Sequence, residues 1–384
     1  MQQKTQRSRS DDIIHTEAPQ QMFAVQPNGT VGILGGGQLG RMLALAAARL
    51  GLQTHIYSDA VASPASKCAT SITIGDYKDP VALANFAKSV DVVTYEFENV
   101  PAETVEILKS EGVFTAPGAR PLAIAQDRLA EKDFVRSLGI GVAPYEQVDD
   151  FNELKKAVTK IGLPAILKTR RFGYDGKGQV RLSAGSNSDT LERAIKEINS
   201  ADAILEGFVP FETEVSVIGA RARNGNCVLF DISENTHSGG ILRTSKTRTS
   251  ISEETIKAAQ AVTLKMLEEL DYIGVLAVEF FVLDDKTILV NEFAPRVHNS
   301  GHWTMDACLC DQFEQHIRAV CGWSLGDALR HSDAEMINLI GEEANDWESY
   351  SAKPNAAVHL YGKTEARAGR KMGHVNIITP RNKG

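Results

Sequence analysis

Hydrophobic and polar positions alternate in two different ways along this chain. The apolar run Thr30–Leu34 reads as a buried strand and leads through a glycine-rich turn into an alanine-rich helix over Arg41–Leu50. A second strand, Thr54–Tyr57, ends at Asp59. Asp91–Thr94 reads as another strand, Ala102–Ser110 as a helix and, after Pro117 and Gly118, Pro121–Leu138 as a charged helix. Strands alternating with helices imply a parallel sheet covered on both faces. From Ala165 the pattern changes to short strands at Ala165–Lys168, Gln179–Leu182, Ala203–Glu206, Glu214–Ala220 and Val228–Ile232, with a helix at Ser188–Ile198. A long helix, Ser252–Leu270, precedes strands Gly274–Leu283 and Lys286–Phe293, and a last small unit starts near Met336. The expected fold is therefore α/β followed by α+β.

Composition narrows the function classes. A chain of 384 residues with 43% hydrophobic and 23% charged residues suggests a soluble globular protein of two or three domains. A net charge of −8 argues against nucleic-acid binding, which needs a dense basic face. Cys68, Cys227, Cys308, Cys310 and Cys321 are odd in number and lack metal-type spacing, so they read as reduced residues of a cytosolic protein. No run approaches the ~18 apolar residues of a membrane span. The first 28 residues are polar, with no secretory apolar core, and read as a flexible tail with Met22 as an alternative start.

Two glycine-rich segments bear on phosphate chemistry. Gly35, Gly37 and Gly40, between a strand and a helix and about 20 residues before Asp59, outline a dinucleotide fingerprint. The same turn also serves to pack a strand tightly against a helix, and both readings stand at this point. The second segment begins with Lys168 at a strand end and continues through Arg170, Arg171, Gly173, Tyr174, Asp175, Gly176, Lys177, Gly178 and Gln179. Backbone N–H groups of such a loop can cover nucleotide phosphates while Lys168 supplies charge.

The most specific signal is a pair of carboxylates. Glu279 and Glu292 each interrupt an apolar strand, and Asp284–Lys286 between them reads as a tight hairpin. Cross-strand neighbours lie ~5 Å apart. Two carboxylates that close repel strongly without a cation between them. Magnesium bridged to nucleotide phosphates fits such a pair, with Asn291 as a further oxygen donor. The loop that follows, Ala294–Thr304, carries Arg296, His298, Asn299, Ser300 and His302, which read as substrate contacts. Arg296 suits charge developing on a transferred phosphoryl group.

Four segments, GGGQLGRM (35–42), GYDGKGQ (173–179), GILRTS (240–245) and NEFAPRVHNSGHWT (291–304), resemble the 5-(carboxyamino)imidazole ribonucleotide synthase family of the ATP-grasp superfamily. The resemblance runs from about Thr30 to the C-terminus. It implies a tail (1–28), a Rossmann-like preATP-grasp domain without dinucleotide (29–120), an ATP-grasp domain (121–320) and a small β-rich C-terminal domain (321–384). It implies ATP and magnesium as cofactors and bicarbonate as a substrate in the carboxylation of 5-aminoimidazole ribonucleotide, a step of purine synthesis. Nucleotide contacts are expected at Arg128, Lys168, Gly173, Tyr174, Asp175, Gly176, Lys177, Gly178, Gln179, Glu206, Gly207, Phe208, Val209, Glu214, His237, Asn291 and Glu292. Glu279 and Glu292 are the implied metal ligands, and Arg296, Lys177 and Asp175 the implied catalytic groups. Gln38, Leu39, Glu96, His298, Asn299, Lys363 and Arg370 are the implied substrate contacts, the last two as a basic pair for a 5′-phosphate. A cytoplasmic homodimer, and a mutase as neighbour taking the unstable product, are implied as well. Another ATP-grasp carboxylase and a dinucleotide-dependent oxidoreductase are the alternatives. The long N-terminal tail departs from the family pattern, as does a chain end at Gly384 where the family continues into a helix; the second bears on the stability of the small domain.

Overall fold

The computed structural model describes residues 23–173, 178–198 and 202–381. Strands Thr30–Leu34, Gln53–Ser58, Ser71–Ile74, Val92–Tyr95 and Phe114–Thr115 form a parallel sheet, ordered in sequence numbering 3-2-1-4-5. Helix Gln38–Arg49 buries Leu39, Met42, Leu43 and Ala46 on one face of it. Helices Pro80–Ala87 and Ala102–Ser110 close the other face around Tyr57, Phe86 and Tyr95. The strand at Ser71–Ile74 and the helix at Pro80–Ala87 have no counterpart in the sequence reading; the strand is a short, largely exposed sheet edge.

Residues 23–28, which the sequence assigns to the tail, are packed. Val25 is fully buried, its N–H donates to Cys321 O at 2.9 Å, and the Trp323 indole donates to Val25 O at 2.7 Å. One buried valine and two hydrogen bonds formed ~300 residues away are invisible to local polarity.

The expected helix Pro121–Leu138 is two, Ala119–Ala125 and Arg128–Ser137. The break comes from Asp127, whose carboxylate accepts the N–H groups of Leu129 and Ala130 and starts the second helix. The same carboxylate takes the Arg170 guanidinium at 2.9 Å through Nε, tying this helix start to the second glycine loop.

Two antiparallel sheets follow. The smaller has strands Tyr145–Val148, Ala203–Gly207, Ala165–Thr169 and Gln179–Leu182 side by side in that order, backed by helices Phe151–Ile161 and Ser188–Ile198. The larger runs Ile288–Ala294, Gly274–Val282, Thr213–Arg221, Ser233–Ser238, Ile241–Lys246, Ser332–Ile340, Lys371–Pro380 and Ala356–Leu360, with Cys227–Leu229 on a side branch. The expected strand Val228–Ile232 is thus short, and two strands of mixed polarity follow it. The β-rich C-terminal unit has no sheet of its own: Thr244 pairs with Ile337, so its strands extend the large sheet.

Candidate active site

A cavity of about 690 Å³ lies between the two antiparallel sheets, within the usual size of a small-molecule site. Lys168 and Gln179 enter from the small sheet and Glu214, His237, Glu279, Asn291 and Glu292 from the large one. Arg128 and Glu131 come from the helix that Asp127 starts, and Gly173 from the glycine loop. Arg296, His298 and Asn299 come from the loop after strand Ile288–Ala294. Residues more than 150 positions apart meet here because the two sheets face each other.

Glu279 and Glu292 are register partners, with a bulge directly after Glu279. Burial and the neighbouring Glu292 push the Glu279 carboxyl up to about 7. Among the described residues no group of three or more His, Cys, Asp or Glu side chains could hold a metal ion by itself. Two adjacent carboxylates that resist sharing charge fit a divalent cation taking its other ligands from phosphate oxygens and water.

Around the pair, opposite charges are matched. Glu214 Oε2 lies 2.9 Å from His237 Nδ1; burial alone would lower that histidine, but Glu214 and Glu279 raise it above its ordinary value. Glu206 is buried beneath Lys168 at 3.0 Å and reaches Lys132 at 3.5 Å. Burial raises its carboxyl, yet Lys132 and Lys168 outweigh that and bring it down to about 2. Arg296 is ion-paired with Glu98, which burial would raise but the guanidinium holds below its ordinary value.

Helix Arg128–Ser137 grips the strand that carries Glu292. Arg128 reaches Glu292 at 3.3 Å and Gly173 O at 2.8 Å; Glu131 accepts the Phe293 N–H at 2.7 Å; Lys132 donates to Asn291 O at 3.1 Å. Glu131 and Lys132 are almost wholly buried, and the sequence reading passed over both. Their signal was spacing: one helical turn places residues 128, 131 and 132 on one face.

Other expected contacts lie elsewhere. Gly207, Phe208 and Val209 follow Glu206 at the strand end without lining the cavity, and Phe208 stacks under the Arg181 guanidinium at 4.6 Å. Gly178 has φ +68° and closes the glycine loop onto Thr169, whose N–H donates to Gly178 O. Tyr174, Asp175, Gly176 and Lys177 lie outside the described residues. Lys363 donates to Lys371 O at 2.6 Å and Arg370 to Glu365 O at 2.9 Å, so neither lines the cavity. Lys371 does line it. It opens the strand Lys371–Pro380, whereas Arg370, its neighbour in sequence, belongs to the turn before it.

The first glycine turn is already filled. Glu96, buried, accepts the N–H of Gly37 at 2.6 Å and of Gly40 at 3.0 Å. Burial raises its carboxyl despite those two donors. A Cβ on Gly37 would sit 2.5 Å from Glu96 Oε1. The glycines admit a carboxylate of the protein where a dinucleotide pyrophosphate would bind, which removes the oxidoreductase reading. Gln38 and Leu39 start this helix away from the cavity. The next turn faces the C-terminal unit, where Lys67 donates to Gly362 O and Gly362 lies close to Arg41. Two cations, Arg41 and Lys67, thus border Gly362, the residue before Lys363.

Comparison with known proteins agrees with this architecture. The ribonucleotide synthetase preATP-grasp domain matches residues 29–126, the ATP-grasp domain 133–313, and the phosphoribosylaminoimidazole carboxylase C-terminal domain 334–383. The N5-carboxyaminoimidazole ribonucleotide synthase of Brucella melitensis is 52% identical over 358 residues, covering 93% of this chain and 98% of that one. Its Bacillus subtilis namesake is 39% identical, covering 92% of each. Among solved structures, an ADP complex of an N5-carboxyaminoimidazole ribonucleotide synthetase superposes with a TM-score of 0.89 at 40% identity, covering 94% of each chain. The Aspergillus clavatus enzyme, in complex with ADP and 5-aminoimidazole ribonucleotide, gives 0.86 at 30%, covering 92% of this chain and 94% of that one. With the same three domains in the same order and that identity over nearly its whole length, this chain belongs to the N5-carboxyaminoimidazole ribonucleotide synthase family.

Proposed function

We propose that this chain carboxylates 5-aminoimidazole ribonucleotide with bicarbonate at the expense of ATP, as a carbon–nitrogen ligase of purine biosynthesis. The register pairing of Glu279 with Glu292, inside a cavity that also holds Lys168, Arg296 and His298, is the observation that carries this reading. Bicarbonate oxygen attacks the γ-phosphorus, ADP leaves, and the resulting carboxyphosphate breaks down to CO₂ and phosphate. The exocyclic amine then bonds to the CO₂ carbon and loses a proton. Lys168, seated on Glu206, offers a fixed cation to nucleotide phosphate, and Arg296 faces the charge that develops as the phosphoryl group moves. Glu279 and Glu292 would hold magnesium, which when bound supplies charge neutralisation to the phosphates. Lys371 adds a cation to the wall opposite Lys168, and Arg41 and Lys67 at Gly362, with Lys363 next in sequence, suit a 5′-phosphate.

The same reading takes domain bounds of 29–120, 121–320 and 321–384, a homodimer and a cytoplasmic location, with the mutase that consumes the product as its pathway neighbour. No helix among the described residues is long and apolar enough to cross a membrane. Phosphate release with ATP and bicarbonate, with and without 5-aminoimidazole ribonucleotide, tests the activity. Release stimulated by the ribonucleotide, with a carboxylated product, is the expected result; absence of turnover with all three substrates overturns it.

A further inference from the structure

A chain of buried side-chain hydrogen bonds runs beneath the cavity and stops at His298. The Ser245 hydroxyl donates to Asn235 Oδ1 at 2.7 Å, and the Asn235 amide donates to Ser216 Oγ at 3.1 Å. Ser216 Oγ in turn donates to Ser300 Oγ at 2.7 Å, and Ser300 Oγ lies 2.8 Å from His298 Nδ1. Ser216, Ser245 and Ser300 are wholly buried and Asn235 nearly so. The ladder explains how they meet: Ser216 is the register partner of Glu279, Glu214 of Asn235, and Asn235 of Ser245. The sheet face that presents Glu214 and Glu279 to the cavity therefore carries this polar chain too. Buried hydroxyls contribute little net stability and are costly when unpaired, so a directed chain of them calls for a reason beyond folding.

The direction of the chain is set at its end. The Ser300 main-chain N–H also points to His298 Nδ1, at 3.3 Å. A backbone N–H can only donate, so Nδ1 carries a lone pair. The Ser300 hydroxyl must then donate to the same atom, which leaves its oxygen to accept from Ser216, and so back to Ser245. Ser233, whose hydroxyl lies 3.1 Å from Ser216 Oγ, donates to Ser300 O at 3.3 Å, which leaves the Ser216 proton to the shorter contact with Ser300 Oγ. Glu279 Oε1, at 3.7 Å from His298 Nδ1, lies beyond hydrogen-bond reach. The proton of that ring is then on Nε2, which has no protein partner among the described residues, while the residue lines the cavity.

We propose that Ser300, Ser216, Asn235 and Ser245 are positioning residues that lock His298 in its Nε2–H tautomer, so that the ring offers the cavity a neutral hydrogen-bond donor for an oxyanion. The oxyanion is bicarbonate or phosphate; this part rests on the functional reading above, the tautomer does not. A donor fixed in advance loses nothing to proton rearrangement when the anion arrives.

Nitrogen-15 NMR of the full chain labelled at histidine, with the His298 signals identified by their loss in His298→Gln, reads the tautomer directly. The expected wild-type spectrum at neutral pH shows an unprotonated Nδ1 and a protonated Nε2. Ser300→Ala and Asn235→Ala are expected to admit the Nδ1–H form. Ser300→Ala should also lower kcat about tenfold, the equivalent of one hydrogen bond, with the KM for ATP within about twofold. Ser216→Thr, which keeps the hydroxyl, should retain the wild-type ring signals. Titration with bicarbonate alone and with inorganic phosphate alone should show which anion shifts the Nε2–H signal. An Nδ1–H or doubly protonated ring in the wild type overturns the inference, as does an Asn235→Ala spectrum identical to the wild type. A shift with neither anion overturns the ligand assignment. An inactive chain with the Nε2–H tautomer intact would remove the functional reading and uphold this one.

Discussion

Glu279 and Glu292 are direct partners across the antiparallel ladder, and the Glu292 carboxylate, with burial, raises the free energy of charging Glu279. On the proposed function, neutralising one would remove half of the divalent-cation site without removing bulk. Glu279→Gln and Glu292→Gln should each reduce phosphate release by orders of magnitude while leaving the far-UV circular dichroism unchanged, since a metal clamp contributes several kcal/mol to a charged transition state. Near-normal release by either variant at saturating magnesium would rule the pair out as the metal site.

The same repulsion has a pH signature. In the folded chain burial and Glu292 raise the Glu279 carboxyl to about 7 from 4.5. Between those values the unfolded chain has released its proton and the folded chain keeps it, so stability falls as pH rises. In chelator, the unfolding midpoint of wild type minus that of Glu279→Gln should decrease from pH 4.5 to 7, and saturating magnesium should flatten the slope. A difference that increases over this range contradicts the pairing.

Glu206 shows the opposite sign. Lys132 and Lys168 outweigh its burial and bring it to about 2, so its contribution is present above pH 4.5 and is lost as pH falls towards 2. Glu206→Gln leaves Lys132 and Lys168 without their shared carboxylate and should destabilise the chain by ~3–5 kcal/mol, the usual result of breaking a buried pair from one side. Denaturant titration checks this; a loss under ~1 kcal/mol would mean that water or another group solvates the two ammonium groups.

The basic residues of the C-terminal unit should divide by location. Lys363→Ala is expected to raise the KM for the ribonucleotide roughly 10- to 100-fold with less effect on ATP, because charge-assisted bonds to phosphate contribute ~1.5–3 kcal/mol. Lys371→Ala, within the cavity, should lower kcat as well. Separate substrate titrations distinguish the two, and equal losses for ATP and ribonucleotide in Lys363→Ala would place the small unit in the nucleotide site.

Glu96 fills the first glycine turn, so a reduced nicotinamide dinucleotide should show no saturable binding up to millimolar concentration. Fluorescence titration tests it; saturable micromolar binding would restore the dinucleotide reading.

How much of this was legible in the sequence follows from the range of the interactions. The strand at Thr30–Leu34, the helix at Ala102–Ser110 and the hairpin bearing Glu279 and Glu292 depend on neighbours in the chain, and local pattern was enough to locate them. Asp127 as a helix start was also locally encoded, yet the charged run around it masked the break. The C-terminal strands could be recognised as strands, but their pairing partner is settled only by the tertiary fold, since a strand edge does not name its neighbour.

By itself, then, the sequence determined the element types, the paired carboxylates and the two glycine turns, because hydrophobic period and backbone freedom are local properties. The tertiary structure alone decided that the first glycine turn is closed to a ligand, since the carboxylate that fills it comes from 59 residues away. It also decided that Glu131 and Lys132 brace the strand that carries Glu292, that Lys371 and not Arg370 faces the cavity, and that Ser216 and Ser300, 84 residues apart, share one hydrogen bond beneath His298. Those outcomes rest on burial and on where charges are desolvated, and both become defined only when distant segments pack.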